Sequence, residues 1–470
     1  MRPAAPRSPW AWIPTLYFVQ GLPYVAVTTL AVVMYKNLGV GNAEIALATS
    51  WLYLPWVIKP LWSPLVDLFG RKRRWIVALQ FTLGAALAMV ALALPAPHWF
   101  RLTLAAFWLL AFASATHDIA ADGYYMLALP EERRQAAFVG VRSTFYRLAM
   151  IAGQGGLVVL AGWLHARSGQ MVTAWVGVMA LLGAFFAAAA LYHAWALPRP
   201  ADDRPAPRSA AAGGAANSAA SATSAASKTP GDSPASATPV IAASSAPSPV
   251  PLSSATAWAR DFARVFAAFF RRPDIGRVLA FLLLYRFAEA QLLKLVAPFL
   301  LDPLAAGGLG LTTQDVGIAY GSFGVAALTA GGLLGGWTIS KLGLERALWP
   351  LVFAMHLPNA LYVALAVAQP QQLALVSAAI ALEQFGYGFG FTAYMVYLLQ
   401  VAAGPDGRSP HKTAHYAIGT GFMALGMMLP GMWSGWLQQW LGYRDFFVWC
   451  CVATLPSFAA AALIRVRADA

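Results

Sequence analysis

The sequence predicts an all-α membrane protein with twelve transmembrane helices in two pseudo-symmetric bundles of six. Three observations predict it. The composition is 59% hydrophobic and 11% charged, too apolar to give a soluble chain of 470 residues a polar surface. Apolar runs long enough to cross a bilayer recur along the chain. One tract of Ala, Ser and Pro divides those runs into two equal sets.

A spanning helix needs roughly 20 mostly apolar residues. Such runs lie at 10–36, 43–66, 75–95, 101–127, 137–164 and 170–196, and again at 275–301, 313–340, 345–369, 371–400, 411–440 and 443–466. They are numbered here as spans 1 to 12. The leader MRPAAPRSPW is short and basic, and the apolar run after it is too long and aromatic for a cleaved signal, so that run reads as the first span. Pro14 and Pro23 fall in span 1, Pro55, Pro60 and Pro64 in span 2, and Pro430 in span 11. Kinked spans are tolerated where neighbouring helices or water satisfy the freed carbonyls, which places them along a cavity rather than against lipid.

The Ala, Ser and Pro tract sets the domain organisation. Residues 1–196 form the N-terminal bundle, and 197–255 a disordered cytoplasmic linker without an aromatic residue between Trp195 and Trp258. Residues 256–272 form an interfacial amphipathic helix, with Trp258, Phe262, Val265, Phe266 and Phe269 on one face and Arg260 and Arg264 elsewhere. Residues 273–470 form the C-terminal bundle.

Net charge is +13, and its placement identifies its cause. Arg71, Lys72, Arg73, Arg74, Arg133, Arg134, Lys341, Arg346, Arg408 and Lys412 lie in loops on one side; Lys36, Arg101, Arg167 and Arg444 lie in the opposite loops. Ten against four assigns the first side, both termini and the linker to the cytoplasm of a bacterial inner membrane. The basic balance is therefore topology and not a nucleic-acid footprint. Cys450 and Cys451 are adjacent in an apolar run; that is poor disulfide geometry and too few ligands for a metal, so they read as packing.

Charges inside a span cost ~2.5–3.5 kcal/mol each on insertion scales, so they persist where they pair, face water or carry function. Span 4 contains ATHDIAADGYY, with His117, Asp118 and Asp122. The two aspartates are four apart and share a helix face. Counting from Arg101, Asp118 lies ~25 Å down the span, at the depth of Lys59 on span 2. Pairing with Lys59 or with Arg147 of span 5 is expected, as an ion-pair network or as a proton-coupled gate. A group whose proton affinity changes as its partner moves is what proton coupling requires. Arg142 is a further charge in span 5. Arg286 and Glu289 of span 7 are three apart, in pairing register, with Lys294 further along. Glu383 of span 10 has no partner on its own helix and precedes the glycine run EQFGYGFG, whose Gly386, Gly388 and Gly390 read as tight packing, with local irregularity as the alternative. His117 and Asp122 also spell H-x-x-x-x-D, a pairing used by some acyltransferases; without a catalytic domain or nucleophile the enzyme reading is set aside.

Two bundles joined by a long inner loop resemble the major facilitator superfamily, with parallel repeats about the membrane normal. The stretch SPLVDLFGRK keeps Leu65, Asp67, Gly70, Arg71 and Lys72 of that superfamily's cytoplasmic gate motif. GGWTISKLGLER echoes it after span 8 through Gly336, Lys341 and Gly343, without the aspartate. QGLPYVAVTTL, LPWVIKPLWSPLVD, HDIAADGYYMLALPEERRQAA, YRLAMIAGQGGL, RFAEAQ, FGVAALTAGGLLGG and ALEQFGYGFG resemble the AmpG-type muropeptide permeases, within the peptide and acetyl-coenzyme A transporter branch. That resemblance implies a monomeric inner-membrane transporter, not an enzyme. It would import anhydro-muropeptides by proton symport and alternating access, serving peptidoglycan recycling. It needs no cofactor beyond the proton gradient, and its partners are an anionic small molecule and the bilayer. Arg286 and Lys294 would meet substrate carboxylates, and Tyr17, Gln20, Tyr24, Gln384, Tyr387 and Tyr394 would offer stacking and hydrogen bonds. Asp118, Asp122, Glu289, Glu383, Lys59, Arg147 and His117 are the proton-coupling or gating candidates. His117 stands where the family's pattern has glutamine. A siderophore importer is the alternative, suited by Trp51, Trp56 and Trp62; a non-transporting sensor or scaffold is the alternative of another class.

Overall fold

The computed structural model describes residues 8–68, 70–129, 131–200, 203, 255–404, 411–464 and 466. Residues 204–254 of the linker and Arg408 lie outside the described residues, as do the side chains of Asp67, Arg133, Trp258 and Phe262.

All described elements are helical, and the twelve spans lie where the hydropathy places them. Span 1 runs Ile13–Val25 and Ala31–Asn37 through a π-turn at Ala26–Leu30. Span 2 is Asn42–Trp51 and Leu54–Leu68. Spans 3 and 4 are Lys72–Ala93 and Trp99–Ala128. Span 5 is Glu132–Ile151 and Val158–Ser168, joined by a π-turn at Ala152–Leu157, and span 6 is Met171–Ala196. Span 7 is Ile275–Leu284 and Phe287–Leu301. Span 8 begins at Thr313–Val316, and span 10 is Leu373–Ala403.

The remaining boundaries are set by glycine. One continuous helical run, Val325–His356, holds the end of span 8 and the start of span 9, turned at Gly343 (φ 72°, ψ 158°). Another, Lys412–Val452, holds span 11 and the start of span 12, turned at Gly442 (φ 77°, ψ 171°). These left-handed backbones suit a residue without Cβ. Spans 9 and 12 finish with Ala360–Ala368 and Leu455–Leu463. Gly70, between spans 2 and 3, has φ 91°, so the corresponding turns of the two halves use the same device.

Each half has its own apolar core. The N-terminal core centres on Leu83, Leu87, Phe107, Leu110 and Phe186, the C-terminal core on Phe281, Tyr285, Leu351, Tyr394 and Leu398. The helix before span 7, Ala255–Phe270, ends against protein: Phe269 is fully buried and stacks on Phe422 of span 11 at 6.3 Å between ring centroids. Arg260 and Arg264 are exposed.

The halves meet at the face opposite the linker, here the far face. Lys36 Nζ lies 2.6 Å from Asp302 Oδ1 across the junction. Tyr443 donates to Asp302 Oδ2 (2.6 Å), and Asn42 Nδ2 donates to Gln438 Oε1 (2.8 Å). This network joins the ends of spans 1 and 2 to those of spans 7, 11 and 12.

Candidate functional site

Between the halves lies a cavity of about 360 Å³, walled by spans 1, 2 and 5 on one side and 7, 8, 10 and 11 on the other. Its lining reaches Val32 and Ala297 toward the far face, and Gly336 and Leu399 toward the linker face. Kinked and broken spans supply much of the wall, as expected for helices that border a cavity. Of the described lining residues, the charged ones are Arg147, Arg286 and Lys294, and no carboxylate joins them.

Among the described residues, none of the three cations is paired with an acid. Lys294 Nζ donates to Thr49 Oγ1 (2.9 Å) and sits 4.9 Å from the Tyr53 ring centroid. Arg286 donates to Tyr387 and lies over the Phe391 ring at 4.7 Å; its Nε is buried without a partner. Arg147 reaches Thr329 of span 8 at 3.4 Å. A cation held among neutral groups in a low-dielectric cleft leaves its charge uncompensated. Of the residues expected to meet substrate, Arg286, Lys294, Tyr24, Gln384 and Tyr387 line this cavity.

The others do not. Tyr17 donates to Asp122 Oδ1 (3.3 Å). Gln20 is buried beside the two aspartates. Tyr394 is fully buried and donates to the carbonyl of Leu282 (2.9 Å). Each sits on a lining helix but on the face turned into its own bundle, an azimuth that residue type does not encode. Trp51, Trp56 and Trp62 are likewise absent from the described lining.

In the N-terminal half the two aspartates find different cations. Asp118 Oδ2 lies 3.6 Å from Lys59 Nζ and accepts from Trp56 Nε1 (3.3 Å), in a partly exposed position. Asp122 Oδ1 accepts from Arg142 Nη2 (2.9 Å), both side chains being almost fully buried. The Arg142 guanidinium sits in the corner between the perpendicular rings of Tyr17 and Tyr125, 4.2 Å from each centroid. Arg147 pairs with neither aspartate; it faces the cavity. His117 turns away from both, to Gln80 Nε2 (3.1 Å), and Gln80 Oε1 contacts His193 Nδ1 (2.9 Å).

In the C-terminal half the expected pairing of Arg286 with Glu289 is absent: no ion pair joins these two described residues. The helix breaks between Leu284 and Phe287, with Arg286 non-helical at φ −111°, ψ 19°. The break turns Arg286 into the cavity and leaves Glu289 facing Asn359 Nδ2 (3.1 Å). Glu383 Oε2 accepts from Tyr362 OH (3.0 Å) and Gln384 Nε2 (2.9 Å). The glycine run after Glu383 causes no irregularity: span 10 is one helix, and its glycines admit backbone neighbours, Gly386 against the carbonyl of Ala354. Pro358 cannot donate to that carbonyl, which the close approach of Gly386 covers.

At the linker face, Gly70 turns the chain into span 3, and Arg71 stands at its N-cap. The backbone N–H groups of Lys72 and Arg73 donate to Asp203 (2.7 and 3.2 Å). Sequence reasoning overlooked Asp203, and also Thr49, Asp302, His356, Asn359 and Tyr362. The last three had a legible signal, polar residues at H-x-x-N-x-x-Y spacing inside an apolar span. The rest depend on contacts between distant helices.

A match to the Major Facilitator Superfamily extends over residues 15–416. The chain is 25% identical over 406 residues to the anhydromuropeptide permease of Escherichia coli (strain K12), covering 85% of this chain and 68% of that protein. It is 21% identical over 457 residues to putative transporter AmpG 4 of Rickettsia conorii, covering 94% and 93%. Its fold is similar to that of a bacterial homolog of the human lysosomal transporter Spinster, with a TM-score of 0.64 and 16% identity over 96% of each chain. These likenesses settle the class: a multi-pass membrane transporter of a small molecule, similar to AmpG-type permeases, and not an enzyme. By its twelve spans and this match, the chain belongs to the Major Facilitator Superfamily.

Proposed function

We propose that the protein imports anhydro-muropeptides, the products of cell-wall turnover, across the bacterial inner membrane into the cytosol, by alternating access and proton symport. The observation that carries this reading is the charge of the cavity lining: Arg147, Arg286 and Lys294 with no carboxylate among the described residues there. A muropeptide is anionic through its peptide and muramic acid carboxylates, and polar through its sugars. Tyr24, Gln384 and Tyr387 supply ring faces and hydrogen-bonding groups in the same wall. The similarity to an anhydromuropeptide permease supports the same substrate class. The basic loops orient both termini to the cytoplasm, and the protein works as a monomer without a cofactor.

The partly exposed Asp118–Lys59 pair is the gating element on the linker-face half of the N-terminal bundle, since an ion pair of this kind opens at low cost. Asp122, locked by Arg142, holds the bundle together.

Uptake of labelled anhydro-muropeptide into proteoliposomes, with and without an inward proton gradient, tests the proposal. Gradient-stimulated accumulation is expected. Absence of uptake by well-folded protein that binds a different anion in a thermal-shift panel would overturn the substrate assignment.

A further inference from the structure

Span 9 reads FAMHLPNALY. Pro358 lacks an N–H, and the turn around it tightens to 3₁₀ geometry at Leu357–Asn359. His356, Asn359 and Tyr362, three apart, fall on one stripe. Glu289 of span 7 and Glu383 of span 10 meet that stripe, and all five residues are 3% exposed or less.

The hydrogen bonding of the two carboxyl groups is unequal. Glu383 holds two donors on Oε2, while its buried Oε1 has no partner and no bare acceptor on a side chain bonded to it. Glu289 holds one, Asn359 Nδ2 on Oε1. Glu289 Oε2 and Asn359 Oδ1 are both buried and both without a partner. Two bare acceptors thus belong to side chains already joined by one hydrogen bond. If Glu289 were ionised, a buried charge would face an amide oxygen with no donor between them, which is costly in a dry site. One proton on Oε2 removes the charge and supplies the missing donor. The acid and the amide then close a ring of two hydrogen bonds, and both orphans are satisfied at once.

No described cation offers the same remedy. His356 Nδ1 is 3.9 Å from Glu289 Oε1, beyond hydrogen-bond range, and Arg286 is engaged with Tyr387 at the cavity. The titratable groups facing Glu289 are Arg286 and Tyr285 of its own span, Tyr320 of span 8, and His356 and Tyr362 of span 9. Glu383 and Tyr387 of span 10 and Cys450 and Cys451 of span 12 complete the set. Only Arg286 and His356 can be positive, and a second anion beside Glu383 is disfavoured by like-charge repulsion.

We propose that Glu289 is a proton-binding site, held here as the neutral acid in a two-hydrogen-bond pair with Asn359. Its coupling to transport rests on the function proposed above; the site itself does not. When the O–H bond at Oε2 breaks and the proton passes to water, a carboxylate is left three residues from Arg286. Arg286 stands at a helix break and can turn back to it. The cavity then loses a cation that held the substrate anion. Proton and anion therefore favour each other's binding, which is the sign symport requires.

The first test needs no substrate. Infrared difference titration of the full chain in liposomes should show the carbonyl band of a protonated carboxyl, lost in Glu289→Gln, kept in Glu383→Gln and shifted in Asn359→Leu. No such band, a band unchanged in Glu289→Gln, or one lost only in Glu383→Gln overturns the proposal. If Glu289→Gln does not fold, Asn359→Leu decides: a shifted band supports the pair, an unmoved one refutes it. The second test uses labelled anhydro-muropeptide. Glu289→Gln should retain exchange across the membrane and lose gradient-driven accumulation by about tenfold or more; accumulation that persists would refute the coupling. Should the unaltered protein take up no muropeptide, the transport reading fails while the infrared result still judges the site.

Discussion

The two halves handle buried carboxylates in opposite ways. In the N-terminal half each aspartate has a cation: Asp118 faces Lys59 and Asp122 faces Arg142. In the C-terminal half Glu289 and Glu383 receive hydrogen bonds from neutral groups only. The contrast separates two uses of charge in a membrane. A matched, fully buried pair such as Asp122–Arg142 fixes helices relative to one another. An unmatched carboxyl needs a proton to be stable, and so becomes a place where a proton can be gained or lost. Two cations of the cavity, Arg286 and Lys294, lie on the same span as Glu289. On the proposal above, span 7 carries both partners of the coupling, while span 4 carries one anchor, Asp122, and one side of the gate, Asp118.

The largest effect should come from breaking an anchor. Arg142→Ala leaves Asp122 buried and uncompensated, and should destabilise the protein by about 3–5 kcal/mol. Thermal melting of the purified protein measures this. Adding Asp122→Asn to it should recover part of the loss, because the stranded charge is gone. Glu289→Gln should lose about 1 kcal/mol or less, because an amide can replace the acid in its ring with Asn359. Equal losses for Arg142→Ala and Glu289→Gln would erase the distinction between the halves.

A smaller effect is expected at the gate. Asp118 and Lys59 are partly exposed, with side-chain exposures of 18% and 25%, so the pair adds about 1 kcal/mol or less to stability. Asp118→Asn should melt nearly as the unaltered protein does, yet lower uptake about tenfold, the equivalent of ~1.4 kcal/mol on the conformational step. Exchanging the charges, Lys59→Asp with Asp118→Lys, should restore part of that uptake. Normal transport by Asp118→Asn at good expression would remove the pair from the mechanism and leave the C-terminal half as the sole site of coupling.

How far the sequence could be read depends on the reach of each physical signal. The spans were legible because a hydrophobic length is a local property, and the turns at Gly343 and Gly442 fall in the predicted loops. The charged residues worth attention were legible too, since insertion cost alone marks Lys59, Asp118, Asp122, Glu289, Lys294 and Glu383. Of their partners only one was legible, Lys59 for Asp118, because matched depth along two spans suffices for it. Whether Asp122 meets Lys59 or Arg142 depends on the rotation of three helices about their axes. The Arg286–Glu289 register assumed an unbroken helix, and the break at Leu284 to Phe287 cancels it. Tyr17 and Tyr394 look like cavity tyrosines by type and span, and only packing turns them inward.

The smallest predicted effect lies where the halves touch. Lys36 and Asp302 are 14% and 16% exposed and 2.6 Å apart, at the far-face end of the cavity. Tyr443 donates to Asp302, but Asn42 also binds both Gln438 and Tyr443, neutral bonds across the junction that survive loss of the pair. Removing the charge should therefore bias the closed state without abolishing it. Asp302→Asn is expected to cost the closed state about 1 kcal/mol, roughly a fivefold shift in population. Alkylation of Val32→Cys, placed where the cavity ends below this network, reports it. The rate should rise about fivefold with Asp302→Asn and with Lys36→Met, and the two together should add little, because they remove one interaction. The gain should also shrink at high salt, which already screens the intact pair. An additive double variant would mean that the two residues close the far face separately, and the comparison would then hold within the halves but not between them.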